Sequence, residues 1–186
     1  MINTSALREK PTLIGENVRL VPLGPEHTDS YFSAGLDTEV RRLMGAHGHP
    51  TYEQARKWCE SRADREDRLD LAITAPEDGR YLGELSLYDV SPENASAGYR
   101  IALSAIEFTG RGLGREATRL VLRHAFEEVG LHRIWLHVYA FNMRAIAVYR
   151  SCGFSVEGRL RDSLLWEGRR YDSLLMAVLR DGFDPS

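Results

Sequence analysis

Six residues in the middle of the chain, Gly110-Arg111-Gly112-Leu113-Gly114-Arg115, have the makings of an anion cradle. Glycines let a backbone take conformations that a Cβ forbids, and let a ligand come close. A helical pattern begins directly afterwards, so amides without intrahelical partners, at the positive end of the helix dipole, face this turn. Arg111 and Arg115 add charge. Such a turn either binds phosphate or only links a strand to a helix. As a P-loop it fails, because Arg115-Glu116 stand where a Lys-Ser/Thr pair would reach the terminal phosphates and the metal. Gly112, Gly114 and Ala117 fit the spacing of the dinucleotide fingerprint, but the next strand, 133–140, runs into Phe141-Asn142 with no carboxylate for a ribose hydroxyl.

A second stretch narrows the choice. Thr109 to Gly114 followed by Arg115-Glu116-Ala117 resembles the pyrophosphate-binding signature of the GNAT superfamily of acyl-CoA-dependent N-acetyltransferases, Q/R-x-x-G-x-G/A, with Thr109 in the place of the usual Gln or Arg. Asn142 to Phe154, NMRAIAVYRSCGF, resembles that superfamily's N-x-x-S-x-x-x-Y-x-x-x-G-F segment with Ala145 replacing the common Ser. The resemblance spans about Val18 to Leu179. It implies acetyl-CoA as co-substrate, no metal, and a gap between two splayed central strands. It places Arg111, Gly112, Leu113, Gly114 and Arg115 at the pyrophosphate, Ile101, Ala102 and Leu103 as backbone oxyanion donors, and Asn142 and Tyr149 facing the cofactor. Tyr81-Leu82-Gly83-Glu84-Leu85, Gly98-Tyr99, Arg115-Glu116-Ala117 and Glu167 to Asp172 look like the RimJ/RimL branch, which acetylates amino termini of ribosomal proteins.

Acetyl transfer to an amine needs a neutral nucleophile, a positioned thioester, a donor for the developing oxyanion and a proton for the departing thiolate. Tyr149 suits the last task, since a phenol with a pKa of about 10 keeps its proton at neutral pH yet can give it to a thiolate. Asn142 lies two helical turns earlier, roughly 10 Å along the axis, on nearly the same face. Tyr149 as a packing residue and Asn142 as a helix cap are the competing readings. Glu84, on a strand face with Ser86 and Tyr88, is the candidate base, against an ordinary solvated or salt-bridged glutamate. Relatives often carry a glutamate just before the central Gly-Tyr, where this chain has Ser96-Ala97. His137 is a rival base, although a lone histidine between Trp135 and Tyr139 is more often a packing residue. Glu107 lies too near the phosphate turn. Cys152 has no neighbouring base to support an acetyl-enzyme. His47 and His49, in a Gly/Pro loop without further ligands, suit an acceptor-binding loop better than a metal.

The rest of the chain must position these groups. At 186 residues, 43% hydrophobic and 27% charged, it reads as one soluble domain, 1–186. A net charge of −3 argues against nucleic acid as partner. Without a membrane span or an apolar leader, and with two cysteines outside any disulfide or metal pattern, a cytoplasmic location is the expectation. Strands are predicted at Val18–Leu23, Leu69–Ala75, Tyr81–Tyr88, around Gly98, at Arg133–Ala140, and at Ser155–Trp166 and Arg169–Leu179. Helices are predicted at Glu26–Leu36 and Thr51–Arg65, after the glycine turn, and from Asn142 to Gly153. That is an α/β, GNAT-type fold: a mixed sheet of about seven strands flanked by about four helices. The function it implies is acetyl transfer from acetyl-CoA to a primary amine, foremost a protein or peptide amino terminus. A polyamine- or aminoglycoside-type enzyme and a non-catalytic acyl-CoA-binding module are the alternatives. The acceptor amine is the expected partner, and homodimerisation is left open.

Overall fold

The computed structural model describes residues 2–185. One eight-stranded sheet runs through it, with strands β1 (Leu13–Ile14), β2 (Arg19–Pro22), β3 (Leu69–Thr74), β4 (Tyr81–Ser91), β5 (Ser96–Leu103), β6 (Arg133–Tyr139), β7 (Ser155–Trp166) and β8 (Arg169–Leu179). Their spatial order is β1-β2-β3-β4-β5-β6-β8-β7. Six α-helices accompany it among the described residues: α1 (Ser5–Arg8), α2 (Thr28–Leu36), α3 (Thr38–Met44), α4 (Tyr52–Glu60), α5 (Leu113–Arg123) and α6 (Met143–Ser151). The expected count of about seven strands and four helices was therefore short. Two-residue β1 and four-residue α1 are too brief to leave a periodic pattern. Helix α3 was missed although its signals are local: Asp37 Oδ1 accepts from the amides of Glu39 and Val40, and Gly45 closes the helix at φ +67°.

Other expected boundaries moved for identifiable reasons. The helix predicted to reach Arg65 stops at Glu60, because the buried Arg62 turns back over the Trp58 ring and donates from Nε to the Trp58 carbonyl. That carbonyl is the acceptor the next helical turn would need. Pro22 ends β2 beyond the reach of β1, as a residue without an amide donor must. The long helix after the glycine turn widens into a π turn over His124–Glu128, so that Val129 bonds back to the His124 carbonyl. In the β7–β8 hairpin, Glu167 and Gly168 both take positive φ, which suits a two-residue type I′ turn.

Every neighbouring strand pair is antiparallel except the central one. β5 and β6 run parallel and pair only at Ser96 with Arg133, Ala97 with Ile134 and Gly98 with Trp135. Beyond Gly98 each strand follows its outer neighbour: β5 stays registered on β4 as far as Leu103, and β6 on β8 as far as Tyr139. The sheet therefore opens into a V. On one face Ile134, Leu136 and Val138 are buried in the same core that takes Ala117, Val121 and Leu122 of α5. The sequence alternates Ile134, Leu136 and Val138 with Trp135, His137 and Tyr139, a pattern apolar enough to predict cover on both faces. The second face is covered only in part, for Trp135 and Tyr139 are half-buried and His137 is exposed. Helices α2 and α3 pack on β4 and β5, and only the end of α3 reaches this face, with Gly45 beside Tyr139 and Arg42 over the Phe141 ring.

The start of α5 is fastened to the splayed strand. Tyr99 donates to Thr118 Oγ1 at 2.9 Å, and Thr118 donates in turn to the Gly114 carbonyl at 2.6 Å. Both residues are at most 1% exposed. Replacing Thr118 by Val should leave the Tyr99 hydroxyl buried without a partner and destabilise the fold by about 1–3 kcal/mol in denaturant titration. Adding Tyr99→Phe should recover part of that loss, and a purely additive double variant would disprove the pairing.

Candidate functional site

A cleft of about 1190 Å³ follows the splay from the glycine turn to the open face of β6. At one end lie Gly110, Gly112, Gly114 and Arg115. Gly110 and Gly112 sit at φ +76° and +82°, and Gly112 is the N-cap of α5 without any side-chain cap. A Cβ at either would meet nothing within 4 Å, so the glycines are required by conformation, and the space above them is open. The free amides of the first turn of α5 face that space, an arrangement able to hold an anion. Arg144 of α6 lines the same end and donates to Thr109 Oγ1 at 3.1 Å. Two expected contributors stand apart: the Arg111 side chain is exposed outside the cleft lining, and Leu113 packs against the core.

Past the last β6 pair, β5 keeps one edge free. The Ser104 amide bonds the Leu82 carbonyl at 2.9 Å, which fixes the phase of the β4–β5 ladder. Residues 102 and 104 then turn their amides toward β4, and residues 101 and 103 turn theirs into the gap. Of the three expected oxyanion donors, Ile101 and Leu103 have available amides. The amide of Ala102 is committed to the ladder opposite Glu84, a two-residue alternation that could not be phased before the pairing was known.

Tyr149 of α6 lies on the wall of this gap, 6% exposed. Its ring is packed edge-on to Tyr99 and tilted against Phe154, with centroids 6.3 and 5.6 Å away. Its hydroxyl has no hydrogen-bond partner among the described residues, and burial pushes the phenol well above its ordinary range. Ring and hydroxyl thus have separate roles to fill. Asn142 lines the cleft and caps α6 by accepting from the Ala145 amide at 3.2 Å, which leaves its Nδ2 free. Cys152 is buried outside the cleft lining with its thiol raised by burial, and Cys59 is raised to about 11 by burial.

Glu84 is 6% exposed on the β4–β5 ladder. Arg100, opposite Ser86 in the register, donates to its Oε1 at 2.8 Å, while Oε2 has no hydrogen-bond partner among the described residues. Burial raises its carboxyl above the usual range, and Arg100 opposes that shift without cancelling it. Glu84 opens into a side pocket that shares Val40, Met44, Arg100, Ala102 and Leu103 with the main cleft. The solvated reading of this residue is excluded, and the salt-bridged one holds for one oxygen only. His137 stands exposed on the cleft wall with its ring edge-on to Trp135 at 5.6 Å, so it is no buried packing residue. Glu107 is exposed away from the cleft. His47 stacks on Trp166, and His49 Nδ1 lies 3.4 Å from the Pro50 carbonyl. Arg100 was overlooked. A charged residue inside an otherwise apolar central strand was the available signal.

The Acetyltransferase (GNAT) domain family matches residues 17–155. The chain belongs to the GNAT acetyltransferase family. Over 171 residues it is 28% identical to the SPbeta prophage-derived uncharacterized N-acetyltransferase YokL of Bacillus subtilis, covering 91% of this chain and 94% of YokL. It is 30% identical over 114 residues to the spermidine N(1)-acetyltransferase of Escherichia coli, covering 61% of each. The crystal structure of spermidine N-acetyltransferase from Vibrio cholerae in complex with CoA and spermine shares the fold, with a TM-score of 0.83, 20% identity, and coverage of 90% of this chain and 98% of that one. This GNAT chain is an acetyl-CoA-dependent N-acetyltransferase. Among the described residues no helix is long and apolar enough to cross a membrane.

Gly114 is the cleanest probe of the anion site, because its φ is unremarkable for an L-residue and an added Cβ would meet only Leu103 Cδ1, at 4.0 Å. Gly114→Val should weaken acetyl-CoA binding in calorimetry by about tenfold or more while changing stability by about 1 kcal/mol. Unchanged affinity in the folded variant would remove the turn from the binding site. Gly112→Val tests the same contact with backbone strain added.

Proposed function

We propose that this enzyme transfers the acetyl group directly to the amino terminus of a protein or peptide in the cytoplasm, in the manner of the RimJ/RimL branch. One observation carries the reading: the ladder-free amides of Ile101 and Leu103 and the unpartnered Tyr149 hydroxyl border one opening in the sheet, and the half-partnered Glu84 borders a side pocket that shares part of its wall. Acetyl-CoA supplies an acyl group already activated as a thioester. The turn at Gly110–Arg115 holds its phosphates, and Arg144 adds charge at that end.

Glu84 Oε2 takes a proton from the acceptor ammonium, directly or through water, and the neutral amine attacks the carbonyl carbon. The Ile101 and Leu103 amides receive the negative charge that develops on the carbonyl oxygen. Tyr149 gives its hydroxyl proton to the departing sulfur as the carbon–sulfur bond breaks, and the second proton, shed by the nitrogen as the amide forms, returns to the Tyr149 phenolate. Burial suits both groups to these tasks. It keeps the phenol protonated and makes the carboxylate a better base than one in water. With Cys152 buried outside the cleft, no thiol is placed to carry the acyl group, which favours direct transfer. Similarity to the Escherichia coli spermidine enzyme favours a second reading, a small-molecule amine as acceptor.

Tyr149→Phe keeps the packed ring and removes only the hydroxyl. It should slow single-turnover transfer by about a hundred- to ten-thousandfold with acetyl-CoA affinity nearly intact, whereas a loss within about twofold would make Tyr149 a packing residue. Glu84→Gln should depress turnover most at low pH, where the acceptor amine is largely protonated, with the loss shrinking as free amine accumulates. In the parent enzyme, activity should fall as pH drops through the raised Glu84 ionisation. A uniform loss across pH would assign Glu84 to positioning, and no loss would leave water or His137 as base. Cofactor binding without thiol release against peptides, polyamines or aminoglycosides would identify a non-catalytic binding module.

A further inference from the structure

The side pocket beside Glu84, about 140 Å³, is walled by α2, α3 and the β4–β5 ladder. Two charged side chains on its wall each keep one solvent-shielded atom without a hydrogen-bond partner among the described residues: Glu84 Oε2, an acceptor, and Arg41 Nε, a donor. Shielded polar atoms of a native protein are nearly always satisfied. Here the two are of opposite sign in one small pocket, so the group that satisfies both must itself present a donor and an acceptor.

The charges around the opening point the same way. Glu39 and Glu84 are the carboxylates on the walls of the cleft and side pocket among the described residues, and each is already engaged by an arginine at 2.8 Å, Arg42 and Arg100 respectively. Arg41, Arg115 and Arg144 line the same walls without a salt-bridge partner among the described residues. Arg115 and Arg144 belong to the phosphate end, whereas Arg41 faces the side pocket. A polycation would find no run of free acids here and would meet an excess of positive charge.

We infer that the acceptor carries a carboxylate beside its amine, the amine going to Glu84 and the carboxylate to Arg41. The inference rests on the amine-acetylating reading given above. The shared chemistry is an amine with a carboxylate two or three carbons away at most, supplied either by a free amino acid through its α-carboxylate or by a peptide that begins with an acidic residue through its side chain. Arg41 is then a specificity-determining residue, and spermidine is a poor acceptor despite the relatives that use it by name.

Thiol release should be followed with matched acceptors: the amides of Asp-Ala-Ala, Asn-Ala-Ala and Lys-Ala-Ala, alanine against alaninamide, and spermidine. The carboxylate-bearing member should win by about tenfold or more in kcat/KM in at least one matched pair. Preference in the peptide set assigns an acidic amino terminus, and preference for alanine assigns a free amino acid. In Arg41→Gln, with folding checked by circular dichroism, the ratio within that pair should collapse toward one, and Arg41→Lys should restore part of it. Equal rates within both sets, spermidine outpacing the acidic acceptors, or a ratio that survives Arg41→Gln would overturn the inference and leave the acetylating reading standing. No thiol release with any acceptor would overturn that reading and this inference together.

Discussion

The short parallel ladder between β5 and β6 is the constraint on which the site depends. After three paired positions the two strands part, because each is held more completely by its antiparallel neighbour than by the other. Unpaired backbone amides inside a sheet are costly unless something else accepts from them. In this fold the Ile101 and Leu103 amides are left facing the gap, where the carbonyl of the proposed thioester would accept from them. The Tyr99–Thr118–Gly114 relay then sets where α5 begins relative to that gap, and with it where the glycine turn points.

Two buried carboxylates on one sheet face show how the same residue type is put to different uses. Asp70 and Glu84 are near neighbours on β3 and β4, for Asp70 faces Ser86 and Glu84 faces Ala72. Asp70 is fully satisfied: Arg68 grips both oxygens at 2.7 Å and Ser86 donates at 2.6 Å. Glu84 is only half satisfied and borders a pocket. A structural acid is silenced by its partners, whereas an acid with one free oxygen and a raised ionisation remains available for proton transfer. The negative charge of Asp70 contributes to that raised ionisation, so the two roles are coupled across the ladder.

Much of this was written in local sequence. The glycine turn and its helix could be read from residues 110–128, because positive φ and free helix amides are requirements of a few adjacent residues. The Asn142 cap, the β7–β8 hairpin across Glu167-Gly168 and the alternation of β6 are equally local. The two motifs at 109–117 and 142–154 sufficed for the family. Chemistry-bearing side chains were visible as types, which is why Tyr149 and Glu84 stood out.

What only the tertiary structure decided is which of these groups meet, and in what surroundings. The availability of Ile101 and Leu103 but not Ala102 follows from the phase of a ladder between strands, and no single strand contains that phase. Glu84 reads as a surface glutamate until α2 and α3 close over it, since desolvation is set by residues far away in the chain. The separation of the Tyr149 ring from its free hydroxyl depends on Tyr99 and Phe154 arriving from β5 and from the end of α6. Spacing along a helix or strand fixes the direction a side chain takes, while packing between elements fixes its solvent and its partners, and those set its chemistry.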